Sequence, residues 1–377
     1  MRQDIRLGRV TGIPVGANWS VAVVLLLIAW LLGASYLPSA NPGQPATLYW
    51  LAATAGAVLF LASLLAHELS HAAVARRNGV QVRSITLWML GGVAELDGDP
   101  PDAGADLRIA LVGPATSAIA AGLFLGLAAG LHAAGGPAVT VAAAEWLAVM
   151  NAVLAVFNML PGAPLDGGRV LRAALWRHYR DRQRAESGAA RAGQFVGAGI
   201  IAAGLAELVG WRGLGGLWLI LVGWFMISAA SAERAAATAA SALRGLRVAD
   251  VMTDDPEFGP AWSTVQDFIV RTAARSDQDA FPVVDHGGRL AGLVLTEELA
   301  AIPLDDRPLL RLDQAATAVP AAYLAAPDDP AGPLLTRRPL AGQLVAVVLA
   351  DDQVTGIVTV DGLRRAARWS RLATAGS

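Results

Sequence analysis

Apolar residues fall into six long blocks, at about 19–37, 49–75, 107–131, 139–160, 191–210 and 214–232. A helix of about 20 apolar residues crosses about 30 Å of hydrocarbon. Each block therefore predicts a membrane-spanning helix. The second and third blocks are long for a simple span and predict tilted or extended helices. Between them the helical pattern breaks. Val82, Ile85 and Leu87, then Val93, flank Gly91 and Gly92, which predicts a β-hairpin over 82–96 at the membrane surface. An Ala-rich stretch over 233–247 predicts a helical linker. From 248 to 377 the pattern is that of a soluble α/β domain. It repeats weakly, once over 248–302 and again over 311–368. The predicted fold is a polytopic α-helical membrane protein of about six spans over 1–232, with a small β-hairpin and a soluble tandem domain.

Charge placement orients the spans. Arg2, Arg6 and Arg9 precede the first. Arg76, Arg77, Arg83 and Arg108 lie between the second and third, and seven further arginines from Arg169 to Arg191 lie between the fourth and fifth. The opposite loops, 38–48 and 132–138, carry none. Positive charge stays on the cytoplasmic side, so the N-terminus and the soluble domain are expected there. The segment before the first span lacks the pattern of a cleaved signal peptide and reads as a retained anchor. Net charge is −2, which offers no electrostatic footprint for nucleic acid. There is no Cys, so any metal must be held by His, Asp or Glu.

The chemistry-bearing motif is His67-Glu68-Leu69-Ser70-His71, which reads H-E-x-x-H on the second span. Residues i and i+4 share a helix face, so the two imidazoles can ligate one ion. Glu68 beside them can act as general base. His67 precedes Arg76 by nine residues, about 14 Å at 1.5 Å per residue. Two His and a Glu at that depth are costly unless they serve a site. The bland alternative is a chance match at a helix end.

A catalytic zinc site commonly uses three protein ligands. The segment from Asn158 to Arg169, N-M-L-P-G-A-P-L-D-G-G-R, closes the fourth span. Pro161 and Pro164 end the helix, and Gly167 and Gly168 permit a tight turn. Irregular backbone at membrane depth is tolerated where it lines a protein cavity. Asp166 is thus the best third ligand, with an N-cap for the next helix as its alternative role. Asn158 can donate to a developing oxyanion, or serve as helix–helix glue.

These two motifs resemble the site-2 protease family of intramembrane zinc metalloproteases, over about 1–232. The likeness is to the six-span branch that carries a C-terminal pair of CBS domains. It implies zinc on His67, His71 and Asp166, catalysis by Glu68, and a role for Asn158. It also matches Gly113-Pro114 to the family's Gly-Pro element, with Ser117 where Asn often stands. The implied substrate is a transmembrane segment of another membrane protein, unwound and paired to the hairpin edge at Gly91, Gly92 and Val93. The tandem copies resemble CBS domains, which implies adenine nucleotide binding and homodimerisation. Gly356, Thr359 and Asp361 approximate the nucleotide signature, with the acid one residue early; the first copy has Gly292, Thr296, Glu297 and Glu298 instead.

Two other readings stay open on the residues. Another membrane H-E-x-x-H enzyme, such as a prenyl-protein protease, takes its third ligand from a Glu on a later helix; Glu145 and Glu207 stand alone and argue against it. A CBS-regulated transporter needs acids along an ion path. Glu68, Asp166 and Glu145 are the few acids the sequence assigns to the interior. His132, His178 and His286 are expected in solvent, and Trp146, Trp211, Trp218 and Trp224 at interfaces or in the bundle.

Overall fold

The computed structural model describes residues 4–89, 91–210, 215–340 and 342–374; Arg2, Trp211 and the side chain of Val93 lie outside the description. The chain forms two compact units, Met1–Arg234 and Ala235–Ser377.

The first unit opens with a hairpin that the hydrophobic pattern did not reveal. Strands β1 (Ile5–Val10) and β2 (Ile13–Ala17) join through Thr11 and Gly12, whose φ angles are 50° and 82°. Two left-handed residues give a turn that matches the strand twist. β2 pairs in parallel with β3 (Gln81–Trp88), which pairs antiparallel with β4 (Gly91–Asp97). The predicted hairpin is therefore half of a four-stranded sheet, in the order β1-β2-β3-β4. The strands of β1 and β2 are short and punctuated by glycines, which hid their period. Ile13, Val15 and Ile85 pack on Ala72 of the second span.

The first span joins α1 (Ser20–Leu31) through a π turn at Leu32–Tyr36 to α2 (Leu37–Ala40), with Pro38 in the first turn of α2 where its missing N–H costs little. Then follow α3 (Ala46–Arg77), α4 (Ala103–Ala133), α5 (Ala138–Asn158), α6 (Asp166–Tyr179), α7 (Arg182–Gly210) and α8 (Gly215–Ala242). Among the described residues, six runs are long and apolar enough to cross a bilayer; α6 is not one of them. α5 stops at Asn158, ahead of Pro161. α8 runs unbroken to Ala242, so most of the predicted linker is the end of the last spanning helix.

The second unit contains β5 (Thr253–Asp254), β6 (Gly259–Pro260), α9 (Val265–Arg271), β7 (Ala280–Val284), β8 (Leu290–Leu295), α10 (Thr296–Ala301), α11 (Leu312–Ala315), β9 (Leu324–Ala325), β10 (Leu344–Ala350), β11 (Gln353–Thr359) and α12 (Val360–Thr374). The repeat is visible in the pairing. β7–β8 and β10–β11 are antiparallel hairpins, each leading into a helix. Each hairpin's first strand also takes a short parallel strand, β6 on β7 and β9 on β10. β5 pairs with β11 of the other copy. Phe268 and Phe281 pack edge to face, 5.2 Å between centroids, in the core of the first copy.

Candidate metal centre

α3 carries His67 and His71 one turn apart, both buried. Their Nε2 atoms lie 3.1 Å from each other. Asp166 opens α6 and sends Oδ2 to within 3.2 Å of His67 Nε2 and 3.1 Å of His71 Nε2. These are the only three metal-capable side chains that cluster this way among the described residues. Asp166 is the first residue of its helix, and the N-cap position is held by Leu165 without a side-chain bond. The carboxylate is thus turned to the imidazoles, and capping is not its role.

For His71, the partner of the outer ring nitrogen fixes the inner one. His71 Nδ1 faces the Ile109 carbonyl at 2.6 Å, and must donate to it. In the neutral ring, Nε2 then bears the lone pair. His67 Nδ1 lies 2.9 Å from Ser117 Oγ. Two imidazole nitrogens and a carboxylate oxygen facing one another at this range call for a cation between them. Donors about 2.0 Å from a tetrahedral ion stand about 3.3 Å apart, close to the spacing seen. Gly113 of α4 completes the cradle: a methyl there would overlap the Nε2 atoms of both histidines. The residues fit zinc, with two nitrogens and one oxygen as the three protein ligands usual in a catalytic site.

Glu68 is half-buried next along α3. β4 passes directly over it, because a methyl on Gly92 would overlap the Glu68 side chain. β4 is also an edge of its sheet. Gly91 and Gly92 therefore sit at the start of an edge strand above the glutamate, and Gly91 adopts φ 141°, which favours glycine. The backbone of Val93 pairs with Thr86. Gly167 and Gly168 serve close packing and not a turn: they lie inside α6, and methyls there would overlap backbone atoms of the 159–163 segment.

Other expected residues fall elsewhere. The Asn158 amide donates to the Leu154 carbonyl one turn back, at 3.1 Å. That is its hydrogen bond among the described residues, so the structure does not bring it onto the three donors. Thr359 ends β11 and its hydroxyl accepts from the Gly362 N–H; Asp361 is exposed beside Arg364. Glu145 is exposed and not interior, since the face of α5 that carries it points away from the bundle. His132, His178 and His286 are exposed, and His286 stacks on Trp262.

The interior acid that the sequence reading passed over is Asp106, which is 0% exposed. It accepts from Arg172 Nε at 2.8 Å and Nη2 at 2.7 Å, with Arg169 Nη2 at 3.5 Å. Burial works against the charge of Arg172, but the Asp106 bonds and charge outweigh it and raise the guanidinium's pKa. The signal was present: an acid at the mouth of a span, needing a basic partner.

Comparison with known proteins bears on the whole chain. The profile of Peptidase family M50 matches residues 55–136 and 134–200, which hold both histidines and Asp166. Rip3 of Mycobacterium tuberculosis, described as a zinc metalloprotease, is 44% identical over 99% of this chain and 95% of its own length. The solved site-2 protease of Methanocaldococcus jannaschii is 28% identical, covering 61% of this chain and 94% of that one, at a TM-score of 0.42. Over the second unit, the CBS domain of a Sphaerobacter thermophilus membrane protein is similar at 23% identity, covering 36% of this chain and 94% of that one, at a TM-score of 0.29. With likeness to a zinc metalloprotease running end to end, the chain belongs to peptidase family M50, the site-2 protease family, and is a multi-pass membrane zinc metalloprotease.

Proposed function

We propose that the chain hydrolyses peptide bonds inside the transmembrane segments of other membrane proteins, with His67, His71 and Asp166 as zinc ligands and Glu68 as general base. The convergence of two imidazole nitrogens and a carboxylate oxygen at 3.1–3.2 Å carries this reading. When bound, zinc polarises the scissile carbonyl and acidifies a water. Glu68, beside His67, takes the water's proton and passes it to the leaving amine. A substrate helix has its backbone bonds satisfied internally, so it must unwind before a carbonyl is accessible. The open edge of β4 offers replacement bonds. A segment paired at Gly91, Gly92 and Val93 runs past Glu68, because Gly92 covers that side chain. Asn158 joins as an oxyanion donor once it releases the Leu154 carbonyl.

The arginine-rich segments support a cytoplasmic side for both the N-terminus and the second unit. That unit reads as a CBS pair that binds adenine nucleotide near Thr359 and Asp361 and pairs with its copy in a homodimer. Support is the repeated hairpin-helix pattern, with Thr359 at the end of β11.

Cleavage of a reporter transmembrane substrate by the purified protein is the deciding measurement. Glu68→Gln is expected to keep one zinc per chain and lose about 10²- to 10⁴-fold in rate; an unchanged rate overturns the base assignment. For the second unit, titration of the full-length protein with ATP, ADP and AMP is expected to show saturable binding. Absence of binding at millimolar ligand retires the nucleotide reading.

A further inference from the structure

We propose that Asp106 is a positioning residue of the metal centre: its buried carboxylate grips Arg172 and Arg169 of α6 and so holds Asp166 opposite the two imidazoles. The inference rests on reading His67, His71 and Asp166 as zinc ligands.

Asp166 is the ligand with the weakest local support. The two histidines share one long helix, so their spacing is set by helix geometry. Asp166 instead starts a helix of 14 residues that follows the irregular segment after α5. That segment packs on the first turn of α6 through Gly167 and Gly168, but among the described residues it makes no charged or bidentate bond to the helix beyond that turn. The fork between Arg172 and Asp106 supplies such a bond. Two parallel charge-assisted bonds set both distance and orientation, and they are made here at 2.8 Å and 2.7 Å. Arg169 adds a second grip, one turn after Asp166, at 3.5 Å.

The other end of the grip is equally informative. Asp106, Ile109, Gly113 and Ser117 follow one another at intervals of three, four and four residues, one face of α4. Ile109 holds His71, Ser117 holds His67, and Gly113 leaves the space between them. Asp106 extends the same stripe and holds α6. A single helix thus contacts both histidines directly and the third ligand's helix through Asp106. Burying a carboxylate fully is costly without such pairing, so a merely packed residue would serve this position better.

The test uses the full-length protein in detergent, with zinc affinity read by chelator competition and ligand geometry by the visible absorption of the cobalt-substituted form. Asp106→Asn keeps shape and removes the charge. It is expected to weaken zinc about 10- to 100-fold, the usual effect of losing a group that orients ligands, and to shift the cobalt bands. Arg172→Lys keeps charge but not the fork and is expected to change both in the same direction. Arg182→Gln breaks a more exposed pair with Asp99, 2.6 Å long, and the stacking of Arg182 on Trp176 of α6, leaving the Asp106 grip intact, and is expected to change neither. If Asp106→Asn does not fold, Arg172→Lys decides alone. Zinc affinity within about twofold of the parent, with unmoved cobalt bands, overturns the proposal, as does an equal loss in Arg182→Gln. A parent protein that binds no zinc sinks the metal-centre reading itself, a separate outcome.

Discussion

Polar side chains are used differently in the two units. Inside the membrane unit they converge: His67, His71, Asp166, Ser117, Asp106 and Arg172 all engage partners from other helices. In the second unit several are spent locally, although Arg247 reaches Asp328 and Gln353 reaches the Gly287 carbonyl. Thr359 accepts from Gly362 three residues on, and Asp361 pairs with Arg364. Asp285 accepts from the Arg289 and Gly287 amides in its own turn, chiefly the former, which lowers its pKa although it is exposed. The solvent explains the contrast. A polar group in hydrocarbon costs several kcal/mol unless it is paired, roughly as for any buried polar group, so those that persist have a task. At a watery surface the same group costs little and signals little.

The sharpest way to break this contrast is His67→Ala. It removes one of three ligands, and is expected to abolish stoichiometric zinc and cleavage while leaving the calorimetric melting of the second unit unchanged. Retained zinc by elemental analysis would separate the histidine from the metal. The mirror experiment is Phe281→Ala. Phe281 is fully buried against Phe268, and such a truncation costs about 3–5 kcal/mol. The second unit is expected to melt far earlier while zinc stays at one per chain. A loss of zinc in this variant would show that the two units do not partition the chemistry as claimed.

The contrast also sets what could be read before the structure. The spans were legible because lipid demands long apolar runs, and the convergence of His67, His71 and Asp166 was legible because polar groups are rare there. Strands β1 and β2 were not, since five- and six-residue strands holding glycines have no clear period. Asp106 was overlooked because it stands just outside the apolar block, where an acid looks like surface; only Arg172, 66 residues on, makes it interior. Glu145 failed in the opposite way, since sequence position within a span does not say which face is lined by protein. In the second unit the repeat was legible from its hairpins, but strand exchange by β5 was not, because pairing partners are a long-range choice.

Gly113→Ala sharpens the comparison by changing volume without touching any polar group. The added methyl would occupy the space between the two Nε2 atoms. Zinc affinity is expected to fall about 10- to 100-fold, as when a ligand is displaced from its geometry. The same change raises helix propensity by up to about 1 kcal/mol in isolation, so the helical content by circular dichroism should hold. Parent-like affinity would mean that the ion sits away from Gly113, and that the centre is wider than the three donors suggest.

Thr359→Ala gives the smallest effect and tests the other side. The hydroxyl accepts from the amide three residues ahead, at the start of α12. Losing such a cap costs about 1 kcal/mol, read as a modest drop in the melting temperature of the second unit. Zinc content is expected to stay the same, because the donors His67, His71 and Asp166 belong to the first unit and Thr359 to the second. The variant divides local from convergent use of a polar group. If the hydroxyl only caps, ATP stabilises parent and variant equally. If it also meets nucleotide, the ATP-dependent shift shrinks as well, and a residue that looks purely local in the second unit gains a second task.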